Sequence, residues 1–592
     1  METDVLVVGA GPTGLTASIL LARAGVSTIT LSRYSGPAHT PRASVLNART
    51  LEVFRDLDLE ERIAAGGQPL TKLNHNILAS TLSGLEFARY KSYGTSPERL
   101  SDYAAASPCR GHNVHQMITE PILVADARRR GCDIRYDNEL VAIKQSDDEV
   151  RAQIVDRGTG TEYVVKAKYV IAADGGNSSI ASTLGFAFRG EAGSQLICNA
   201  WVEVDLSKYT AYRPGVIYWT GQPGLDTWFG SGSWIVVRPW DEWSFIHPLR
   251  GNRIPAEADV ITRARMTIGD PNADVRLKEL TTWAVHNVVA TEYRKGRVLL
   301  AGDAAHRHPP TGGLGANTSI QDAFNLSWKL AAVIHGHAGD SLLDSYEAER
   351  QPVGSNVVER SIKNFENLAS FVSALGLREG QSVDDGWAAI RELFEDSPGA
   401  TERREALREA VHLQHYRSNA LGVDLGQRYT SLAVVNDGTP FPDYTRDRDL
   451  YYEATTHPGA YLPHAWIEHD QKRVSTIDAV GRGRFSLIVA IGGAPWVAAA
   501  ESLAAEFGVA IDVVRIGLRC TYDDVFGEWE AVREISDQGA LLVRPDRQIA
   551  WRSMGLTAEP RKEFENALEQ ILATTNRRGS EPAAKTSKGA SQ

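Results

Sequence analysis

The amino-acid sequence predicts a multidomain protein of mixed α/β (α+β) class, and three observations carry that expectation. A short apolar run, Asp4 to Val8, leads into glycines at positions 9, 11 and 14 and then into a helical pattern. Residues 186–292 change to brief alternating runs rich in Trp and Tyr, the pattern of an antiparallel sheet. From Phe485 the order turns to strand, helix, strand. The 592 residues suffice for about two to four domains, and a hydrophobic content of 43% suffices for their cores.

Composition narrows the function classes. A net charge of −11, with no basic cluster beyond short helical patches, argues against nucleic acid as the main partner. No run approaches the roughly 18 apolar residues of a membrane helix, so no membrane partner is expected. The strand pattern begins by Thr3, which leaves no room for a signal peptide, and the chain is expected to be cytoplasmic. Cys109, Cys132, Cys198 and Cys520 form no CxxC, so neither a disulfide framework nor a zinc site is expected and the thiols are read as buried. No HExxH or similar spacing suggests any other metal.

The first unit is expected to be discontinuous, spanning 1–185 and 293–345. Its opening, DVLVVGAGPTG, is a strand followed by Gly9, Gly11 and Gly14 in GxGxxG register, with Pro12 and Thr13 leading a helix through Leu15, Ile19 and Ala22. The glycines permit a tight turn, the approach of a diphosphate and close helix packing, and the helix amino end attracts phosphate charge. A second strand, Thr28 to Leu31, makes the unit Rossmann-like. Most dinucleotide folds end that strand on an acidic residue that holds a ribose, whereas Ser32 and Arg33 stand there in this chain. The segment 40–57, TPRASVLNARTLEVFRDL, carries Arg42, Ser44 and Arg49, and His115-Gln116 opens a further helix. Asp133 to Tyr136, Glu139 to Ile143 and Val150 to Val155 are strand-like, and Tyr169 to Ala173 is a buried strand leading into Asp174-Gly175.

Between the two parts of that unit, 186–292 forms the antiparallel-sheet domain. Strands are expected at Cys198 to Val204, Gly215 to Tyr218, Thr227 to Gly230, Trp234 to Val237 and Ser244 to Pro248, and such a sheet can roof a flat ligand. The chain returns in GRVLLAGDAAHRHPPTGGLGANTSIQDAFNLSWKL, Gly296 to Leu330. Val298 to Ala301 is a buried strand, and Gly302-Asp303 is a sharp turn with one carboxylate. Pro309 to Gly315 is a loop whose glycines let backbone approach a flat ligand. A helix is expected from near Asn317, with Ile320, Ala323, Phe324, Ala331 and Ile334 on one inward face. Its amino end offers free N–H groups and partial positive charge, which suits a ring that becomes anionic. His306 and His308, two apart on the loop, fit local hydrogen bonding better than ligation.

Residues 346–425 are expected to form a helical link and 426–575 a C-terminal domain, thioredoxin-like in outline from the order SLIVAI, APWVAAAESLAAEFG, IDVVRIG, LLVRPDRQIAW. Lacking a CxxC, it is expected to be structural or to support a homo-oligomer. The polar tail 576–592 is expected to be disordered.

The two glycine motifs, above all HPPTGGLGANTSIQDAFNLSWKL, resemble the FAD motifs of the group A flavoprotein aromatic hydroxylases, and most of all their phenol and 2,4-dichlorophenol hydroxylase branch. VIYWTGQPG, RPWDEW and HPGAYLPHAWI are similar to that branch too. The resemblance implies FAD as cofactor, NADH or NADPH and O2 as co-substrates, and a small aromatic substrate. The implied reaction is hydroxylation ortho or para to a phenolic oxygen through a flavin C4a-hydroperoxide. Gly9, Gly11, Pro12, Thr13 and Gly14 are then expected to hold the diphosphate, Ser32 or Arg33 to lie near the adenosine ribose, Arg42 to contact the flavin side, and Gln116 to reach the ribityl or ribose. Asp174 falls in the family's Asp-Gly motif, associated with FAD and NAD(P)H. Asp303, after Gly302, is expected to hydrogen-bond the ribityl chain, and Gly313, Leu314 and Gly315 to line the ring. The backbone N–H groups of Ala316 and Asn317 are expected to hold negative charge at N1/O2, and the Pro310 carbonyl to lie against the substrate hydroxyl. Tyr218, Trp219 and His247 are candidate pocket residues.

The chain departs from the family at informative places. Ser44 stands where some relatives place an Asp or His that assists substrate deprotonation, so either another group supplies the base or the substrate needs no strong base. Asn177 and Ala181 replace arginines that many members carry, which leaves NADH against NADPH open. Two other functions also stay open: a tailoring hydroxylase of a phenolic or hydroxypyridine ring in a larger natural product, and a flavin-binding protein that does not hydroxylate.

Overall fold

The computed structural model describes residues 1–574 apart from 194, 224–230, 250, 252 and 379. Among the described residues five strands run parallel, the four inner ones largely buried and apolar where helices cover them. Glu2–Val8 lies between Glu162–Ala172 and Thr28–Leu31, Val298–Leu300 joins the outer side of Glu162–Ala172, and Asp133–Arg135 extends the other edge. Val8, Leu31 and Ala172 stand in register, and Ala172 pairs onward with Leu300. The turns after these strands, at Gly9, Ser32, Ala173-Asp174 and Gly302, therefore emerge along one edge. Ligands bind at that edge in open parallel sheets.

Helices Pro12–Arg23 and Gly315–Ile334 pack together against this sheet. The second begins at Gly315, two residues earlier than expected, and it is not one-faced. Every residue from Asn317 to Ala331 is buried. Ala323, Leu326 and Leu330 join the parallel-sheet core, Ile320 and Phe324 join a second cluster with Leu15 and Phe54, and Trp328 joins the C-terminal core.

The antiparallel domain holds a seven-stranded sheet in the order Arg276–Ala284, Leu196–Glu203, Glu242–Pro248, Gly232–Arg238, Gly215–Thr220, His75–Ala79, Glu86–Lys91. Its last two strands come from 75–91, a stretch that the sequence reading assigned wholly to the first unit. His75–Ala79 pairs in parallel with Gly215–Thr220, so they are joined across the domain boundary by backbone hydrogen bonds. The expected strand Thr227 to Gly230 lies outside the described residues. Helix Glu257–Ile268 covers one face, with Val260, Ala264 and Ile268 in its core.

After the link helices, the C-terminal sheet has the order Ile511–Arg515, Phe485–Val489, Ala540–Val543, Ile549–Ser553, with the first pair parallel and the others antiparallel. Helices Ala494–Phe507 and Pro560–Ile571 pack against it. This is the thioredoxin-like order expected from the sequence. Cys109, Cys132 and Cys198 are buried, whereas Cys520 keeps partial exposure. The tail 576–592 lies outside the described residues.

Candidate active site

The three glycines of the first turn do three different jobs. A side chain on Gly9, at φ +114°, would lie 2.0 Å from the Ala173 carbonyl oxygen, so Gly9 lets the first turn touch the Asp174-Gly175 turn. A side chain on Gly14 would lie 1.9 Å from the Gly9 carbonyl oxygen, so Gly14 lets the helix start press on the turn. Among the described residues, nothing is nearer to a side chain placed on Gly11 than a Glu120 carboxylate oxygen at 3.9 Å. Its open side is room for something that is not protein. Pro12 fills the first helical turn and Thr13 is buried, its hydroxyl 2.7 Å from where a side chain on Gly302 would stand. Gly302 thereby joins the first motif to the second.

The Pro309–Gly315 loop ends at a helix start with unused donors. Thr318 is the first residue to bond backward, to the Leu314 carbonyl at 2.9 Å, which leaves the amides of Gly315, Ala316 and Asn317 without a backbone acceptor among the described residues. The Asn317 side chain is committed elsewhere: it accepts from the Asn47 amide at 3.0 Å and donates to the Val45 and Gly313 carbonyls at 2.9 and 2.6 Å. It clamps the 45–47 segment beside the loop, and only its backbone is available to a ligand. Gly312 and Gly313 adopt positive φ, and a side chain on Gly312 would meet the Arg417 carbonyl at 2.7 Å. Pro310 and Asp303 are exposed. His308 bonds the Pro309 carbonyl at 2.8 Å, and burial lowers its pKa.

A buried network holds this turn. Asp322 accepts from the Gly302 amide at 3.0 Å, pairs with His306 at 2.8 Å and with Arg350 at 2.8 Å. Arg350 continues to Gln427, Tyr429 and the Thr318 carbonyl. A second network joins the same helix to the C-terminal domain: Glu349 meets Lys329 at 2.7 Å and Arg544 at 2.6 Å, and Arg544 meets Asp546 at 2.5 Å.

The remaining predicted residues are scattered around the glycine turn. The Ser32 hydroxyl accepts from the Tyr34 amide at 3.3 Å, and Arg33 is exposed over the Tyr34 ring. Arg42 is exposed, and its carbonyl accepts from the Gln116 amide at 2.9 Å. Gln116 donates its side-chain amide to Glu120, which also accepts from the Ala38 amide at 2.5 Å. Burial raises the pKa of Asp174, whose Oδ2 takes the Ile180 amide at 3.4 Å while its buried Oδ1 has no hydrogen-bond partner among the described residues. Arg49, read as a companion of Arg42, instead points into the C-terminal domain, stacked 3.9 Å over Tyr461 and bonded to the Asp546 carbonyl.

The seven-stranded sheet separates the three aromatic candidates. Tyr218 belongs to the face under helix Glu257–Ile268: its hydroxyl donates to the Arg213 carbonyl at 2.8 Å and its ring meets Trp243 edge-on. His247 lies on that face beside Phe245, bonded to the Pro248 carbonyl at 3.0 Å, with burial lowering its pKa to about 4. Both expectations are therefore corrected, since these side chains pack into the sheet core and point away from the loop. Trp219, one residue on, points to the opposite face. That inner face carries Asn199, which donates to the Pro41 carbonyl at 3.1 Å, and Asn76, which bonds Tyr90 at 3.2 Å. Arg417 lies over Trp219 at 3.9 Å, between this face and Gly312.

A family model for an FAD binding domain matches residues 2–361, and one for the C-terminal domain of aromatic-ring hydroxylases matches residues 455–575. The chain belongs to the FAD-dependent aromatic-ring hydroxylases. It is an FAD-dependent aromatic-ring monooxygenase. It is 42% identical to 2,4-dichlorophenol 6-monooxygenase of Delftia acidovorans, over 97% of this chain and 98% of that protein. It is 35% identical to phenol 2-monooxygenase of Pseudomonas sp. (strain EST1001), over 97% and 93%. The fold is similar to that of the flavin-dependent monooxygenase PieE in complex with FAD and substrate, with a TM-score of 0.93, 41% identity, and coverage of 97% and 99%.

The residues of this hydroxylase fit FAD. Gly11 leaves room for a diphosphate, Asp174 keeps an unused buried acceptor, and the helix start offers amides to an anionic ring edge. Glu120 and Arg417 escaped the sequence reading. Glu120 lies four residues after Gln116, on the same helix face, a spacing that could have flagged it. No local pattern singles out Arg417.

Proposed function

We propose that this hydroxylase inserts one oxygen atom into a small phenol, ortho or para to the ring hydroxyl, with NADH or NADPH as reductant. Bound FAD would supply the acceptor for a nicotinamide hydride and the group at which O2 is activated. The protein's part is positioning and charge. The Ala316 and Asn317 amides hold the pyrimidine edge of the flavin, where negative charge develops on reduction, and Gly11 admits the diphosphate. Ser32 or Arg33 holds the adenosine ribose, Asp303, Gln116 and Arg42 face the ribityl and ring side, and the Pro310 carbonyl lies on the substrate-facing side of the flavin. Trp219 forms one wall. The observation that carries this reading is the run of amides without a backbone acceptor among the described residues at the loop-to-helix junction, in a loop whose Gly312 meets Arg417 beside the Trp219 face of the sheet.

The test is direct: the purified protein, yellow with FAD, consumes NAD(P)H faster when a phenol is added and yields a product heavier by one oxygen. NAD(P)H consumption that ignores the phenol and gives no such product would overturn the reading. We also place self-association on the C-terminal domain, where Ile491, Leu518, Val525, Phe526 and Met554 are exposed. Light scattering that finds a monomer would exclude it.

A further inference from the structure

We propose that Arg417 is the counter-ion of the substrate, which is held as its phenolate; the inference rests on the proposed phenol hydroxylation and specifies its binding subsite. Arg417 is 7% exposed. Among the described residues it has no hydrogen bond or ion pair from its guanidinium, and its contact is the Trp219 ring at 3.9 Å. The other buried arginines behave differently. Arg49, Arg99, Arg213, Arg360 and the rest each reach a carboxylate at 3.6 Å or less, as do Arg350 and Arg544. A buried charge without a partner is strongly unfavourable, so a chain that neutralises the other buried guanidinium groups among the described residues and spares this one leaves it for an anion that arrives from outside.

Position identifies the anion. Arg417 stands between the Gly312 backbone and the inner face of the sheet, on the side of Trp219, away from the packed side of Tyr218 and His247. The titratable groups facing it are Tyr90 and Tyr93, whose hydroxyls burial keeps neutral near pH 7, so neither supplies the missing charge. Asn76, bonded to Tyr90, keeps an unpartnered buried carbonyl oxygen on the same face. A flat ring against Trp219 would bring its oxygen to the guanidinium, which pairs with anionic oxygen in a charge-assisted bond.

The subsite also accounts for Ser44. A free phenol ionises near pH 10, and an adjacent buried cation lowers that value. The substrate O–H bond then breaks on binding, the proton leaves to solvent, and the electron pair stays on an oxygen that activates the ring. No side-chain base is required at position 44.

The experiment uses the FAD-loaded enzyme and 4-nitrophenol, whose anion has a visible band, at a pH about one unit below the probe's solution pKa. Wild type is expected to bind it with growth of the anion band. Arg417→Gln is expected to bind at least tenfold more weakly and without the band, and Arg417→Lys to recover much of both. A wild type that binds the probe in neutral form, or an Arg417→Gln variant with unchanged affinity and band, overturns the proposal. If Arg417→Gln fails to fold, the wild-type spectrum and Arg417→Lys still decide. A wild type that binds the phenolate but never hydroxylates a phenol supports this subsite and contradicts the proposed function. One that hydroxylates while binding neutral phenol does the reverse.

Discussion

Two polar regions border the helix Gly315–Ile334, and they are built on opposite terms. Along its middle and end, toward the C-terminal domain, Lys329, Glu349, Arg544 and Asp546 are buried yet matched to one another at 2.5 to 2.7 Å. Around its start, toward the sheet, the amides of Gly315 to Asn317, the Asp174 Oδ1 and the Arg417 guanidinium have no protein partner among the described residues. The first arrangement is closed and serves the fold. The second is open, and the difference in pairing, not in polarity, marks where ligands go.

Breaking the closed region should have the largest effect. Glu349→Ala leaves Lys329 and Arg544 buried against fewer acids, and a loss of about 3–5 kcal/mol is expected in thermal or denaturant unfolding; a melting temperature unchanged within error would show that the seam is not structural. On the open side, Gly11→Val adds methyls where only Glu120 stands near, at a φ of −83° that any residue tolerates. Flavin content after purification should fall more than tenfold while the apoprotein melts as before, and full flavin retention would contradict the room assigned to the diphosphate.

The two faces of the sheet repeat the contrast on a smaller scale. Tyr218→Phe removes a hydroxyl bonded to backbone, so stability should drop by about 1–2 kcal/mol with KM for the phenol unchanged. Trp219→Ala should raise that KM about tenfold and also lower the melting temperature, because the ring packs against the cluster of Leu78, Tyr90, Phe371 and Leu375. The opposite pattern of KM in the two variants would reverse the assignment of faces.

The smallest expected effect concerns pH. Burial pushes the Asp424 carboxyl up to about 7, against the opposing influence of the Asn47 side chain and the charge of Arg360. The folded protein therefore keeps a proton that the unfolded chain releases above its ordinary value near 4, and this contribution to stability is lost as pH rises toward 7. Asp424 keeps some exposure, so Asp424→Asn should gain on the order of 1 kcal/mol at pH 8 and nothing at pH 4. Equal melting shifts at both pH values would rule out that titration.

What the sequence made legible followed from local constraint. The Gly9, Gly11 and Gly14 spacing encodes backbone conformation and contact directly, and fully buried runs such as Phe485–Val489 announce their strands. The strands His75–Ala79 and Glu86–Lys91 were not legible, because the sheet they join lies across the chain and half of Glu86–Lys91 is charged. Tyr218 and Trp219 are adjacent, aromatic and equally plausible in a pocket. Only parity along the strand and the helix covering one face, anchored by the Trp234 bond to Thr267 at 3.1 Å, separate them. Arg49 and Arg417 show the same limit, since what each guanidinium lies against, Tyr461 and the Asp546 carbonyl for one and Trp219 for the other, is far away in the chain.

The most direct test is a crystal structure of the enzyme with FAD and a phenol. The account predicts the flavin's N1–C2=O edge within about 3 Å of the Ala316 and Asn317 amides, its diphosphate beside Gly11, and the ring of the phenol against Trp219. A flavin whose pyrimidine edge lies away from that helix start, with those amides turned to solvent, would contradict it.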